Sequence, residues 1–158
     1  MKEKQVESVW DYPRPPRLEA FHGTVKVIAR GITIAESRRS YKVLETSHPP
    51  VYYIPVEDVA SEYLQKTNQT SVCEFKGKAS YWNLVIGEEV IQNAAWSYED
   101  PVPVYGAIAG CLAFYAEKMD ACYVSGERVK PQEGNFYGGW ITSDVRGPFK
   151  GAKGTEGW

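Results

Sequence analysis

The chain has 158 residues, the length of one domain, and its 18 Lys and Arg against 20 Asp and Glu leave a formal charge of −2. Its 5 Trp, 11 Tyr and 5 Phe exclude a disordered polypeptide, and its 14 Gly and 10 Pro exclude a coiled coil or helical bundle. With no basic stripe denser than Arg38, Arg39 and Lys42, no nucleic-acid partner is expected.

Residues 1–20 read as a Pro-containing arm ahead of a single β domain over 21–158. Pro13, Pro15 and Pro16 favour an extended path. Trp10, Tyr12 and Leu18 would pin it to the domain or to a second copy, a route to a homo-oligomer. The arm lacks the apolar core of a secretory signal. No apolar run reaches the ~20 residues that cross a bilayer. A cytoplasmic protein without a membrane partner is expected.

Strand patterning begins at residue 24. Residues 24–29 and 32–36 flank Arg30-Gly31, a hairpin turn signal. Residues 41–46 alternate until His48-Pro49-Pro50 breaks them, and 51–54 form another short strand. Val56, Val59, Ala60, Tyr63 and Leu64 have the spacing of a helical face, with Pro55 at its start, and predict a helix. Strands at 72–76 and 79–86, joined at Gly77-Lys78, and at 90–98 come next. Residues 105–119 fit either a helix or a helical turn followed by a strand through Phe114, because Gly106 and Gly110 weaken the helix. Residues 121–124 and the turn Ser125-Gly126-Glu127 make a last hairpin. Seven of the 14 glycines lie between Gly134 and Trp158 beside five large aromatics, which predicts a docked tail rather than a linker.

Several chemistries lack their residues. There is no Gly-x-Ser-x-Gly elbow. In the tail Lys153 precedes Gly154, the wrong order for a phosphate loop, and Pro148 interrupts it. Cys73, Cys111 and Cys122 are odd in number and lack any Cys-x-x-Cys pair, so neither a disulfide framework nor structural zinc is expected. No cofactor and no metal are called for. Glu88-Glu89 and Glu99-Asp100 are adjacent residues whose side chains diverge on a strand.

What stands out is polar residues among aromatic strands. Glu74 and Lys76 would share one strand face, Tyr81 and Trp82 would point to opposite faces, and Trp96 and Tyr98 would share a face. Lining one concavity, they make a small-molecule pocket. The plainer alternative is a surface ion pair over an aromatic core.

Longer strings resemble a known family. The segments WDYPRPP at 10–16, ETSHPP at 45–50, 55–59, CEFKG at 73–77, PQEGNFYGGWIT at 131–142 and GPFKG at 147–151 are similar to the DUF427 family. The resemblance implies a mainly β, α+β at most, single domain of the β-tent or Mss4-like kind, with curled antiparallel sheets and one or two short helices. Zinc-holding β-tent relatives use two Cys-x-x-Cys pairs, which this chain lacks. The family also carries a nucleotidyltransferase label, but no Gly-Ser and spaced-aspartate signature is present here, and the resemblance supplies no catalytic residues.

The expected function is a binding module for a small polar or anionic ligand. Its candidate residues are Arg38, Arg39, His48, Tyr53, Glu74, Lys76, Trp82, Trp96, Tyr137 and Trp140, the arginines as bidentate anion contacts. Two alternatives stand beside it. One is an enzyme with His48, Glu74 and Lys76 in acid–base or nucleotidyl-transfer chemistry. The other is a structural or oligomerisation protein.

Overall fold

The computed structural model describes residues 6–134, 136–151, 153–155 and 157–158. Residues 1–5 of the expected arm, and Asn135, Ala152 and Glu156 of the expected tail, lie outside them. The described chain is mainly β, built from several antiparallel sheets. In chain order the strands begin with β1 (Glu7–Ser8), β2 (Arg17–Phe21), β3 (Val25–Ala29), β4 (Ile32–Ser37), β5 (Ser40–Leu44) and β6 (Val51–Tyr53). The long strands are β7 (Leu64–Cys73), β8 (Gly77–Ile86) and β9 (Glu89–Ser97). Short ones follow: β10 (Ala113–Phe114), β11 (Ala121–Val124), β12 (Glu127–Arg128), β13 (Lys130–Pro131), β14 (Trp140–Ile141) and β15 (Val145–Arg146).

Two four-stranded sheets, β10-β9-β8-β7 and β12-β11-β3-β4, enclose the larger core. Val27, Ile34, Leu84, Leu112 and Phe114 are fully or almost fully buried within it. The hairpin turns at Arg30-Gly31 and Ser125-Gly126 place both central residues at positive φ (50° and 75°, 50° and 82°). That conformation follows the right-handed twist of the strands they join. A third sheet, β2-β5-β6, leans on a second cluster of Val43, Tyr53, Tyr81, Trp96, Tyr98 and Tyr115. The pairs β13-β14 and β1-β15 tie the last third of the chain back, β1-β15 being parallel.

Residues 6–21 lie against this chain's own surface. Val9 and Tyr12 are buried with Leu44 and Val145, the Trp10 Nε1–H donates to the Pro148 carbonyl at 2.7 Å, and β2 runs antiparallel to β5. At the far end Trp158 meets the Trp10 ring at 5.1 Å between centroids.

Two expected elements are corrected. The helix over 56–65 is instead two single 3-10 turns, Val56–Asp58 and Ser61–Tyr63, after which β7 starts. Between the turns the chain pairs with β4: Val59 bridges Ala35, and the Ala60 N–H donates to the Ile34 carbonyl at 2.7 Å. That bond takes the donor a helix would need. The second correction moves the hairpin between β7 and β8. Cys73 pairs with Gly77, so Glu74, Phe75 and Lys76 form the turn rather than a strand, and Glu74 and Lys76 share no strand face. Residues 105–119 resolve into a 3-10 segment (Pro103–Ile108), the short strand β10 and a further 3-10 turn (Ala116–Lys118). No helix among the described residues is long and apolar enough to cross a membrane.

Candidate functional site

A cavity of about 370 Å³ opens where the β2-β5-β6 sheet meets the end of β8 and β9. Its floor is aromatic: Tyr53 from β6, Tyr81 from β8, Trp96 from β9, and Tyr98 and Tyr115 just beyond β9 and β10. The β7–β8 turn supplies Glu74, Phe75 and Lys76 on one side. Glu45 and His48 come from the β5–β6 loop, and Phe136, Tyr137 and Lys150 close over from the tail.

Three of the four tyrosine hydroxyls of the floor are engaged with protein atoms. Tyr81 Oη bonds Ser71 Oγ at 2.8 Å, Tyr115 donates to the Phe136 carbonyl at 2.9 Å, and Tyr53 Oη accepts from Trp96 Nε1 at 3.4 Å. Burial raises the Tyr53, Tyr98 and Tyr115 phenols, so all three stay protonated at neutral pH. What these residues present to the cavity is ring surface.

Lys76 is the unusual group. It is only 8% exposed, and its Nζ sits over the Tyr98 ring, 5.7 Å from the centroid. Among the described residues no carboxylate reaches ion-pair distance of it, although Glu74 is two positions away in the same turn. The Lys76 stem is packed while Nζ stays open to the cavity, so the ammonium meets that space beside the Tyr98 ring. The Lys76 carbonyl is held by the Val102 N–H at 2.9 Å, which fixes the turn against the 3-10 segment.

His48 is 7% exposed and part of a relay built on Gln132, itself 2% exposed. Gln132 Oε1 accepts from the Gly139 N–H at 3.0 Å, while its Nε2 donates to the Lys150 carbonyl at 2.7 Å. Those partners settle which end of the amide is which. The Gln132 Nε2 lies 3.1 Å from His48 Nδ1 and has only hydrogens to offer, so Nδ1 is the acceptor and the proton sits on His48 Nε2. That Nε2–H faces Glu45 Oε2 at 3.6 Å. Burial lowers the His48 pKa from 6.5 to about 4; Glu45 opposes the shift, and Lys150, Arg14 and Lys76 add to it. The ring is therefore neutral at pH 7. Its face is closed by Tyr137, 4.7 Å away between centroids, and Lys150 Nζ lies over the other ring of that pair, 5.1 Å from Tyr137.

Six of the ten predicted residues thus line one cavity: His48, Tyr53, Glu74, Lys76, Trp96 and Tyr137. The other four lie elsewhere. Arg38 and Arg39 border a separate depression with Ser37 and Asp58, where Arg39 is already bound to both Asp58 oxygens at 2.9 Å. Trp82 points to the opposite face of β8, against the larger core, and its Nε1–H donates to Ser97 Oγ at 2.9 Å. Trp140 is a core residue, 1% exposed, its Nε1–H bonded to the Phe114 carbonyl.

Glu45, Tyr115, Gln132 and Lys150 complete the wall or its support and were not singled out from sequence. Three of these, Glu45, Gln132 and Lys150, lie inside the strings that carried the family resemblance, which was the available signal. Cys111, pushed up to about 11 by burial, and Cys122, pushed up to about 12, remain thiols at neutral pH. Among the described residues no three His, Cys, Asp or Glu side chains gather as metal ligands would.

With this geometry in hand the comparison with known families is direct. Residues 17–125 match a domain of unknown function, DUF427, also designated NTP_transf_9. The chain belongs to that family. The matched stretch includes Glu45, His48, Tyr53, Lys76, Trp96 and Tyr98, whereas Gln132, Tyr137 and Lys150 follow it. No curated protein matches the sequence.

Proposed function

We propose that the domain is a binding module that holds a small organic anion in the aromatic cavity. One observation carries the reading: Lys76, buried at the cavity wall with no carboxylate among the described residues to neutralise it. A ligand carboxylate or phosphate would supply the missing charge, and the surrounding rings would bury its body. The enzyme alternative has weaker support. His48 Nδ1 is taken by Gln132 and its Nε2–H faces Glu45, so no ring nitrogen is left to take a proton from a ligand.

The test is thermal unfolding of the wild type and of Lys76→Met with a panel of organic carboxylates, sugar phosphates and nucleotides. A ligand at 100 times its Kd adds about 2.7 kcal/mol, a rise of about 5–10 °C in Tm for a domain of this size. At least one anion is expected to stabilise the wild type and not the variant. If none protects the wild type more than Lys76→Met, the proposal falls.

A further inference from the structure

We infer that the cavity is built for a flat aromatic monocarboxylate, its carboxylate on Lys76 Nζ and its ring against Trp96, Tyr53 and Tyr98. This rests on the binding-module reading above and narrows it to one ligand class.

Charge decides for a single negative unit. Lys76 and Lys150 line the cavity, but so do Glu45 and Glu74, and His48 is neutral there. Lys150 Nζ is partly occupied, donating to the Trp158 carbonyl at 3.2 Å. A phosphate dianion would meet Glu74 and the Arg14-paired Glu45 with one uncommitted cation, Lys76, among the described residues that line the cavity. Among the described residues no arginine lines the cavity to grip phosphate bidentately.

Hydrogen bonding decides against a sugar. A sugar acid presents hydroxyls around its whole rim, and each one desolvated without a partner is costly. The floor hydroxyls of Tyr53, Tyr81 and Tyr115 are turned to Trp96, Ser71 and Phe136. Ring faces and edges remain, and they suit the face and edge of another aromatic system. The volume of about 370 Å³ sits near the lower end of the roughly 300–1,000 Å³ range of ligand pockets. It admits a two-ring acid and excludes a dinucleotide.

Calorimetric titration of the full chain with four probes tests the inference: 1-naphthoate, its neutral isostere 1-naphthamide, 1-naphthyl phosphate and glucuronate. Naphthoate is expected to bind roughly ten- to hundredfold tighter than naphthamide, the worth of a hydrogen bond to a charged group. It is also expected to exceed the phosphate and the sugar acid. In Lys76→Met the naphthoate preference over naphthamide should vanish. The wild-type ratio is decisive by itself should that variant fail to fold. Equal binding of naphthoate and naphthamide overturns the assignment to Lys76. Tighter binding of naphthyl phosphate or glucuronate overturns the ligand class and leaves the anion-binding module standing. Binding of none of the three anions overturns both.

Discussion

Replacing Gln132 with leucine removes one side chain and strips three partners. The amide bonds the Gly139 N–H, the Lys150 carbonyl and His48 Nδ1, and leucine of similar size offers none of these contacts. Gly139 is buried, so its orphaned N–H costs about 1–3 kcal/mol, and the buried His48 nitrogen costs a similar amount. The half-buried Lys150 carbonyl can turn to water and adds little. A loss of about 3–4 kcal/mol is expected, a large share of the roughly 5–15 kcal/mol that holds a domain together. In urea, with an m-value of about 2 kcal/mol per molar, the midpoint should fall by about 1.5–2 M with m unchanged. Gln132→Glu sharpens the test. Its carboxylate can accept from Gly139 but has no proton for Nδ1, so His48 should become protonated to bond it, and its pKa should climb well above about 4. Proton NMR of the imidazole ring reads this directly. A leucine variant within about 0.5 kcal/mol of wild type, a surface-like change, would refute the relay. So would a glutamate variant with the His48 pKa unmoved.

Other outcomes follow from the same geometry. His48 titrates near 6.5 unfolded and about 4 folded, so its contribution is whole above 6.5 and drains away as pH falls towards 4. Unfolding free energies from urea titration at pH 7 and pH 4.5 should differ by about 2–3 kcal/mol more in wild type than in His48→Gln; equal differences count against a buried neutral ring. Gly138→Ala places a methyl 2.5 Å from the Trp96 ring at φ +71°. It should cost about 1–3 kcal/mol and shift Trp fluorescence, and an unperturbed spectrum would contradict the close approach. Trp82→Phe should lose about 1 kcal/mol with its bond to Ser97 yet leave naphthoate affinity unchanged, because Trp82 faces away from the cavity; weakened binding in calorimetry would contradict that placement. Trp10→Ala removes the bond to Pro148 and the contact with Trp158. Hydrogen exchange around residues 147–151 should quicken, and identical protection would show that the tail is held without it.

The parts of the fold legible in the sequence were those decided locally. Arg30-Gly31 and Ser125-Gly126 are turns whose backbone chemistry resides in two residues, and alternation marked β3, β4, β8 and β9. The 56–65 segment misled because its apolar spacing serves contacts with β4, through Val59 and Ala60, that no helical wheel contains. The hairpin after β7 was displaced because most of that strand is polar, from Gln65 to Ser71, and shows no alternation to mark it. The candidate site was partly legible for the same reason. Strand parity put Trp96 and Tyr98 on one face, but it cannot say that Trp82 looks into the other core. Nor can it bring Gln132 to His48, 84 positions away.

The parallel pairing of β1 with β15, and the edge-on contact of Trp10 with Trp158, close long loops of the chain. These contacts join parts of the chain more than 130 residues apart, and closing so long a loop costs entropy that nearer contacts do not. The hairpins can form as soon as they leave the ribosome. The roof of the cavity, Phe136, Tyr137 and Lys150, follows the floor in sequence, and so does Gln132, which sets His48. A nascent chain stopped before residue 130 would carry the aromatic floor and Lys76 without a roof. On the binding-module reading, a chain cut before residue 130 should keep the aromatic floor and lose affinity for the proposed anion, because the wall that closes over it comes from residues 136–150.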